Sequence, residues 1–255
     1  MDIELERLRR EACRLDEDDA LASLDEAAAW IRERGVVTGA PCCSPPSLHV
    51  AIHEGPYRPG SRGFGLYPAT KWWWGGELAT RDGLHWLKIH RGKGVIVDER
   101  IARLADPLAR QALGDAEAGK LGDDARRVVT HLAAAGPAEV SDLRAELGLD
   151  ARRLRGAREN LEQVGAVVTR SLVLEPHAHT SELARWDQRF DGPSAGGLDE
   201  LLVAFVRSAV FVPEVDLAKL LSWPLPAGTV ERLLAAGKLR RVGVYATAEQ
   251  SRSDG

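Results

Sequence analysis

The 255-residue chain is long enough to bury a sizeable core, mixes 44% apolar with 28% charged residues, and has a formal net charge of −4. That composition is globular and excludes a disordered, collagen-like or globally polybasic protein. Three cysteines, two of them adjacent (Cys13, Cys42 and Cys43), make no disulfide framework, and no apolar run is long enough to span a bilayer, so a cytoplasmic protein with no membrane partner is expected.

In chain order, residues 3–15 and 20–34 carry helical periodicity, with Leu21, Leu24, Ala28 and Ile31 sharing a face of the second segment. Gly35 ends that helix, and Val36 and Val37 begin an extended piece. "APCCSPPS" reads as a loop, because a residue before proline is driven away from the helical region. Ser47 is placed to cap a short helix over "LHVAIHEG". Residues 55–69 are irregular. "LHWLKIHRGKGVIVDE" reads as strand, turn and strand. A helix over 99–113 is interrupted at Asp106–Pro107, and 114–122 is a linker.

The pattern then sharpens. Residues 123–135 form a helix with Val128, Val129 and Leu132 inward, and Gly136–Pro137 breaks it. A second helix, "AEVSDLRAELG", turns Val140, Leu143 and Leu147 to one side. Asp150 caps a third, "ARRLRGARENLEQVG", whose stripe is Leu154, Ala157, Leu161 and Val164, before a β-like "AVVTRSLVLE". Three short helices followed by strands is the winged-helix order. The order recurs in "LLVAFVRSAVF", "VPEVDLAKLLSW", "AGTVERLLAAG" and the strand "KLRRVGVYA", a weak repeat spaced by 72 residues. Residues 20–54 form a third, more degenerate copy. The expected fold is mainly α with small β wings (α+β), built of tandem winged-helix modules. Residues 1–122 make a winged-helix-like region with a tryptophan and basic segment, 123–190 a central winged helix, 191–250 a C-terminal module and 251–255 a tail.

Charge is unevenly spread. Residues 1–34 hold a local −5, 55–94 a local +5 and 151–170 a local +3, and patches rather than totals govern polyanion binding. On the 150–164 helix, Arg152 and Arg155 lie opposite the apolar stripe and Arg153 and Arg158 flank it. That geometry turns leucines inward and guanidiniums toward phosphates or base edges. A solvated face with Arg155 paired to Glu159 is the plainer alternative. Lys238, Arg240 and Arg241 fall at the wing of the last module.

"KWWWGG" admits two readings. If extended, Trp72 and Trp74 face one way and Trp73 the other. They then either plug a gap between modules or offer a stacking surface for an unpaired base, with Lys71, Lys88, Arg91 and Lys93 as phosphate contacts and Gly75 and Gly76 permitting close approach. Cys42, Cys43, His49 and His53 match no zinc pattern, and no phosphate loop, dinucleotide fingerprint or nucleophile elbow occurs, so neither metal nor cofactor is expected.

The stretches "WIRERGVVTGAP…PPSLHVAIHEG" and "HWLKIHRGKGVIVDERIARLADPLARQAL", with the 123–171 segment, resemble the AlkZ/YcaQ-like family and its AlkZ-related branch over roughly residues 20–190. The resemblance implies tandem winged helices around a concave face for double-stranded DNA. In the founding branch it also implies a monofunctional glycosylase acting on bulky N7-alkylated purines and interstrand crosslinks. Active members carry Gln-apolar-Gln or Gln-apolar-Asp after the early helix to hold the hydrolytic water. Here Thr38 and Ala40 stand in that place, and neither motif occurs anywhere in the chain. Three expectations follow: a DNA-binding, glycosylase-like protein without confirmed catalysis, a glycosylase using another group (Glu54, Glu77, His49 or His53), or a regulator that uses winged helices to bind protein.

Overall fold

The computed structural model describes residues 2–41, 44–60, 63–175 and 178–249. Cys42, Cys43 and the 251–255 tail lie outside the described residues. The fold is α+β. After α1 (Ile3–Ala12), a first unit comprises α2 (Leu24–Arg34), β1 (Val36–Thr38), α3 (Leu48–Ala51), α4 (Trp74–Leu78), β2 (Leu84–His90) and β3 (Lys93–Asp98). The long helix α5 (Glu99–Glu117) leads to a second unit of α6 (Asp123–Ala135), β4 (Ala138–Glu139), α7 (Val140–Leu147), α8 (Ala151–Gln163), β5 (Val167–Glu175) and β6 (Ala178–Arg185). The short α9 (Trp186–Arg189) precedes a third unit: α10 (Leu198–Ala209), β7 (Phe211–Pro213), a 3₁₀ helix (Glu214–Lys219), α11 (Thr229–Ala235), β8 (Arg240–Val242) and β9 (Tyr245–Thr247).

The three units share one plan. Each runs helix, strand, helix, helix, strand, strand. Each builds a three-stranded antiparallel sheet in which the last strand lies between the other two: β1-β3-β2, β4-β6-β5 and β7-β9-β8. Local chemistry sets the boundaries. Ser23, Asp98 and Asp150 cap α2, α5 and α8 by accepting backbone N–H groups of the first turn. Gly35 at φ 79° and Gly148 at φ 59° close α2 and α7 in conformations that other residues adopt poorly.

Several expectations are corrected. The first unit spans 24–98 rather than 20–54, because its third helix and hairpin lie beyond a long connection. The tryptophan run is a turn entering α4, not a strand. "KLRRVGVYA" divides into two strands at Gly243, and "VPEVDLAKLLSW" is the end of β7 followed by a 3₁₀ helix over Glu214–Lys219 only. Most instructive is α5, which passes unbroken through Pro107 and reaches Glu117. Proline cannot donate to the carbonyl of Arg103 four residues back. The Ser194 hydroxyl does so instead, at 2.9 Å. Asp106, just before the proline, is buried and accepts from Trp186 Nε1 at 2.7 Å, Ser194 N at 2.9 Å and Arg110 Nε at 2.9 Å. The 190–197 loop thus supplies what the proline removes.

Helix α5 is also the spine of the core. Ala102, Ala105 and Ala109 present a buried face of small side chains, so the first sheet (Leu87, Ile89, Val95), Trp186 and α10 all pack in one cluster with it. The third unit is fastened to the start of the chain at the C-terminus of α10. There Arg34 donates to the carbonyls of Arg207 and Ser208, and Arg9 to those of Ala209 and Phe211. These include last-turn carbonyls that have no partner within the helix.

Candidate nucleic-acid interface

Helix α8 is organised as the spacing demands. Leu154, Ala157 and Leu161 are buried against α6 and α7, and Arg152, Arg153 and Arg155 are exposed. The arginines are not equivalent. Arg153 makes a two-pronged pair with Asp124 at 2.9 and 2.6 Å. Arg158 is half-buried, 3.6 Å from Glu162 and beyond hydrogen-bonding reach of it. Arg152 and Arg155 make no ion pair among the described residues, so the Arg155–Glu159 pair is not formed. A depression of about 580 Å³ between α6 and α8 is lined by Asp123, Asp124, Asp150, Arg152 and Arg153. Its acids outnumber its bases, so it is not an anion pocket; the basic face of α8 lies at Arg152 and Arg155.

Lys88, expected as a phosphate contact, is committed elsewhere. Its ammonium lies 2.5 Å from Glu162 Oε2, a carboxylate whose side chain is only 2% exposed. The Thr169 hydroxyl also donates to Glu162. This buried polar knot ties β2 of the first unit to α8 and β5 of the second. The β2–β3 turn carries Arg91 and Lys93 into solvent, both without ion pairs among the described residues. Between them Gly92 fits against Gln163, where a Cβ would lie 2.8 Å from Nε2. The hairpin tip therefore sits against the C-terminal end of α8. At the third unit, Lys238 pairs with Glu200 at 2.9 Å and Arg241 with Glu214 at 2.6 Å. Arg240 is exposed and makes no ion pair among the described residues.

The three tryptophans part company. Trp74 is buried, with Lys71 Nζ over its ring at 5.0 Å. Trp72 and Trp73 are 40% and 42% exposed, and Trp73 Nε1 donates to the Thr70 carbonyl at 3.0 Å. Gly75 serves a different neighbour from the one expected. It lies with Gly39 and Gly94 around the indole of Trp86, and a Cβ at Gly94 would fall 2.0 Å from Trp86 Cζ2. The glycines accommodate the chain's own indole.

His49 and His53 do not form a metal set. His53 contacts the Arg14 carbonyl at 2.8 Å, and His49 packs edge-on to Tyr67, where burial lowers its pKa to about 4. Among the described residues no group of three or more metal-ligating side chains converges. Thr38 is buried and donates to the Pro46 carbonyl at 3.0 Å.

Sequence reasoning missed the His85–Glu99 contact at 2.5 Å, in which burial depresses the histidine's pKa more than the carboxylate raises it. The residues lie 14 apart on different elements, and no short motif signals them. No helix among the described residues is long and apolar enough to cross a membrane. Compared with known proteins, the chain matches no family model, no curated protein and no solved structure.

Proposed function

We propose that the three units are winged helices and that the protein binds double-stranded DNA. In this reading Arg152 and Arg155 of α8 are the principal contacts, and Arg91, Lys93 and Arg240 reach phosphates from the flanking hairpins. One observation carries the reading. The third helix of the second unit buries a full apolar stripe and directs two guanidiniums, committed to no carboxylate, at solvent. An arginine pair already neutralised within the protein has little left to give a phosphate; these two are not neutralised. The recurring helix and strand order supports the module assignment, since three such units place three third helices and three hairpins in one chain.

We read the protein as a binder rather than a glycosylase. The Thr38 hydroxyl is spent on a buried carbonyl, and Ala40 has no polar side chain, so the place given by the resemblance to the water-holding pair offers neither carboxylate nor amide. Fluorescence anisotropy against a duplex over a range of salt concentrations tests the binding. Replacing Arg152 and Arg155 with alanine should lower the slope of log K against log salt by about 2 units, with unchanged circular dichroism. Unchanged affinity and slope would remove α8 from the interface. A duplex carrying N7-methylguanine should be bound yet release no free 7-methylguanine above a protein-free control; release above that control would overturn the non-hydrolytic reading.

A further inference from the structure

We infer that the connection between α3 and α4, residues 52–73, is a docking arm for single-stranded DNA, with unpaired bases stacking on Trp72 and Trp73. The inference rests on the DNA-binding reading and adds a second ligand class with its own surface. The arm is an elaboration of the shared plan. The same connection takes three residues in the second unit (148–150) and nine in the third (220–228), against twenty-two here. Connections of this length inside a compact domain are usually functional.

The two described limbs of the arm are tied to each other. Tyr57 N donates to Tyr67 O at 2.7 Å, Arg58 N to Gly65 O at 2.9 Å and Ala69 N to Gly55 O at 3.0 Å, around a single antiparallel bridge between Pro56 and Pro68. The base of the arm is anchored by Glu54, whose carboxylate accepts from Thr70 N at 3.0 Å, Thr70 Oγ1 at 2.6 Å and Lys71 N at 3.0 Å. Trp72 and Trp73 follow directly on this anchor.

Chemistry selects the occupant. Among the described residues every exposed aromatic side chain, Tyr57, Trp72 and Trp73, lies on this arm. The polar rim of Trp73 is already satisfied by Thr70, so what it offers a partner is ring surface. Aromatic faces on an arm that carries Arg58, Arg62 and Lys71 against Glu54, a local +2, match a polyanion that exposes flat rings. Duplex DNA hides those faces within its stack. An apolar protein ridge has no use for the surrounding cations. The two indoles also occupy the point of the first unit, just ahead of its third helix, at which the second unit presents Asp150 and then Arg152. The two units would thus meet nucleic acid near the N-terminal ends of their third helices with different chemistry, guanidiniums for phosphates in one and indoles for bases in the other.

The full chain is titrated with an oligothymidylate of about 15 nucleotides and, separately, with intact duplex; Trp72→Ala/Trp73→Ala should bind the single strand about 5- to 100-fold more weakly. Its duplex affinity should stay within about twofold, because no base face is open there. Trp72→Phe/Trp73→Phe should retain most single-strand binding, and saturating oligothymidylate should quench the tryptophan emission of the native protein. Arg152→Ala/Arg155→Ala should lose duplex binding first. Single-strand binding that depends on the indoles with no duplex binding would sink the duplex reading and leave the arm standing. Three results would overturn the arm: no single-strand binding by the native chain, equal single-strand affinity for the folded alanine variant, or, should that variant not fold, no emission change on saturation of the native protein.

Discussion

Lys88→Met isolates the polar knot between the first two units. The change keeps an unbranched side chain of similar length, with a thioether sulfur in place of Cδ, and removes the ammonium. What remains is Glu162, 2% exposed, holding a single hydroxyl bond from Thr169, with Arg158 3.6 Å away. Removing one partner of a buried pair costs about 3–5 kcal/mol, because the other charge stays desolvated. The Thr169 bond and the nearby guanidinium place the expected loss near the lower bound, about 3 kcal/mol. Glu162→Gln should cost less, about 1–2 kcal/mol, because Lys88 is 24% exposed and can swing toward water. The double variant should be close to Glu162→Gln alone, giving a coupling of about 3 kcal/mol between the sites, the whole of the Lys88→Met loss. For a chain of 255 residues a loss near 3 kcal/mol lowers the melting temperature by roughly 6–12 °C. Urea unfolding of the four proteins, followed by circular dichroism, measures the cycle. A Lys88→Met loss below about 1 kcal/mol, or additive single losses, would show that Glu162 is hydrated or re-paired and refute the argument.

Two further predictions concern the loop beside Pro107 and the buried histidine. Ser194→Ala should cost about 1–2 kcal/mol by orphaning the Arg103 carbonyl, and clearly less in a Pro107→Ala background, where the new backbone N–H can serve that carbonyl; equal losses in both backgrounds would disprove the substitution of hydroxyl for amide. His49 has a folded pKa of about 4, below its unfolded value near 6.5. The unfolded chain therefore binds the proton first, and stability present at neutral pH is lost as pH falls from about 6.5 toward 4. His49→Gln should unfold in urea with a midpoint that falls less between about pH 7 and pH 5 than that of the native chain; parallel curves would remove His49 as a source of acid sensitivity.

What the sequence makes legible follows from range. The second unit was readable because its signals are local: Asp150 two residues from the amide it accepts, leucines at helical spacing, and glycines at each stop. The first unit was misread because its third helix lies 22 residues beyond its second, past any window in which periodicity registers. Pro107 misled for a related reason: its compensating donor is 87 positions away. At the candidate site, spacing put Arg152 and Arg155 on the open face of α8, where the structure places them. It could not show that Lys88, Arg153, Lys238 and Arg241 already hold carboxylates, since those partners come from other elements. Trp74 and Trp72, alike as neighbours in sequence, differ because one enters the core as α4 begins and the other stays on the turn.

The arginine clasp at the end of α10 has a bearing on synthesis. Arg9 and Arg34 leave the ribosome long before the carbonyls of residues 207–211 that they will serve. Elongation at roughly 5–20 residues per second puts an interval of about 10–40 s between the two. For that time the first 34 residues can pack only against what has already emerged, and Phe211, the ring beneath the Arg9 guanidinium, does not yet exist. Because α1 rests on Val242 and Tyr245 of the last hairpin, α1 and the third unit finish each other, and neither patch is complete until both have been made.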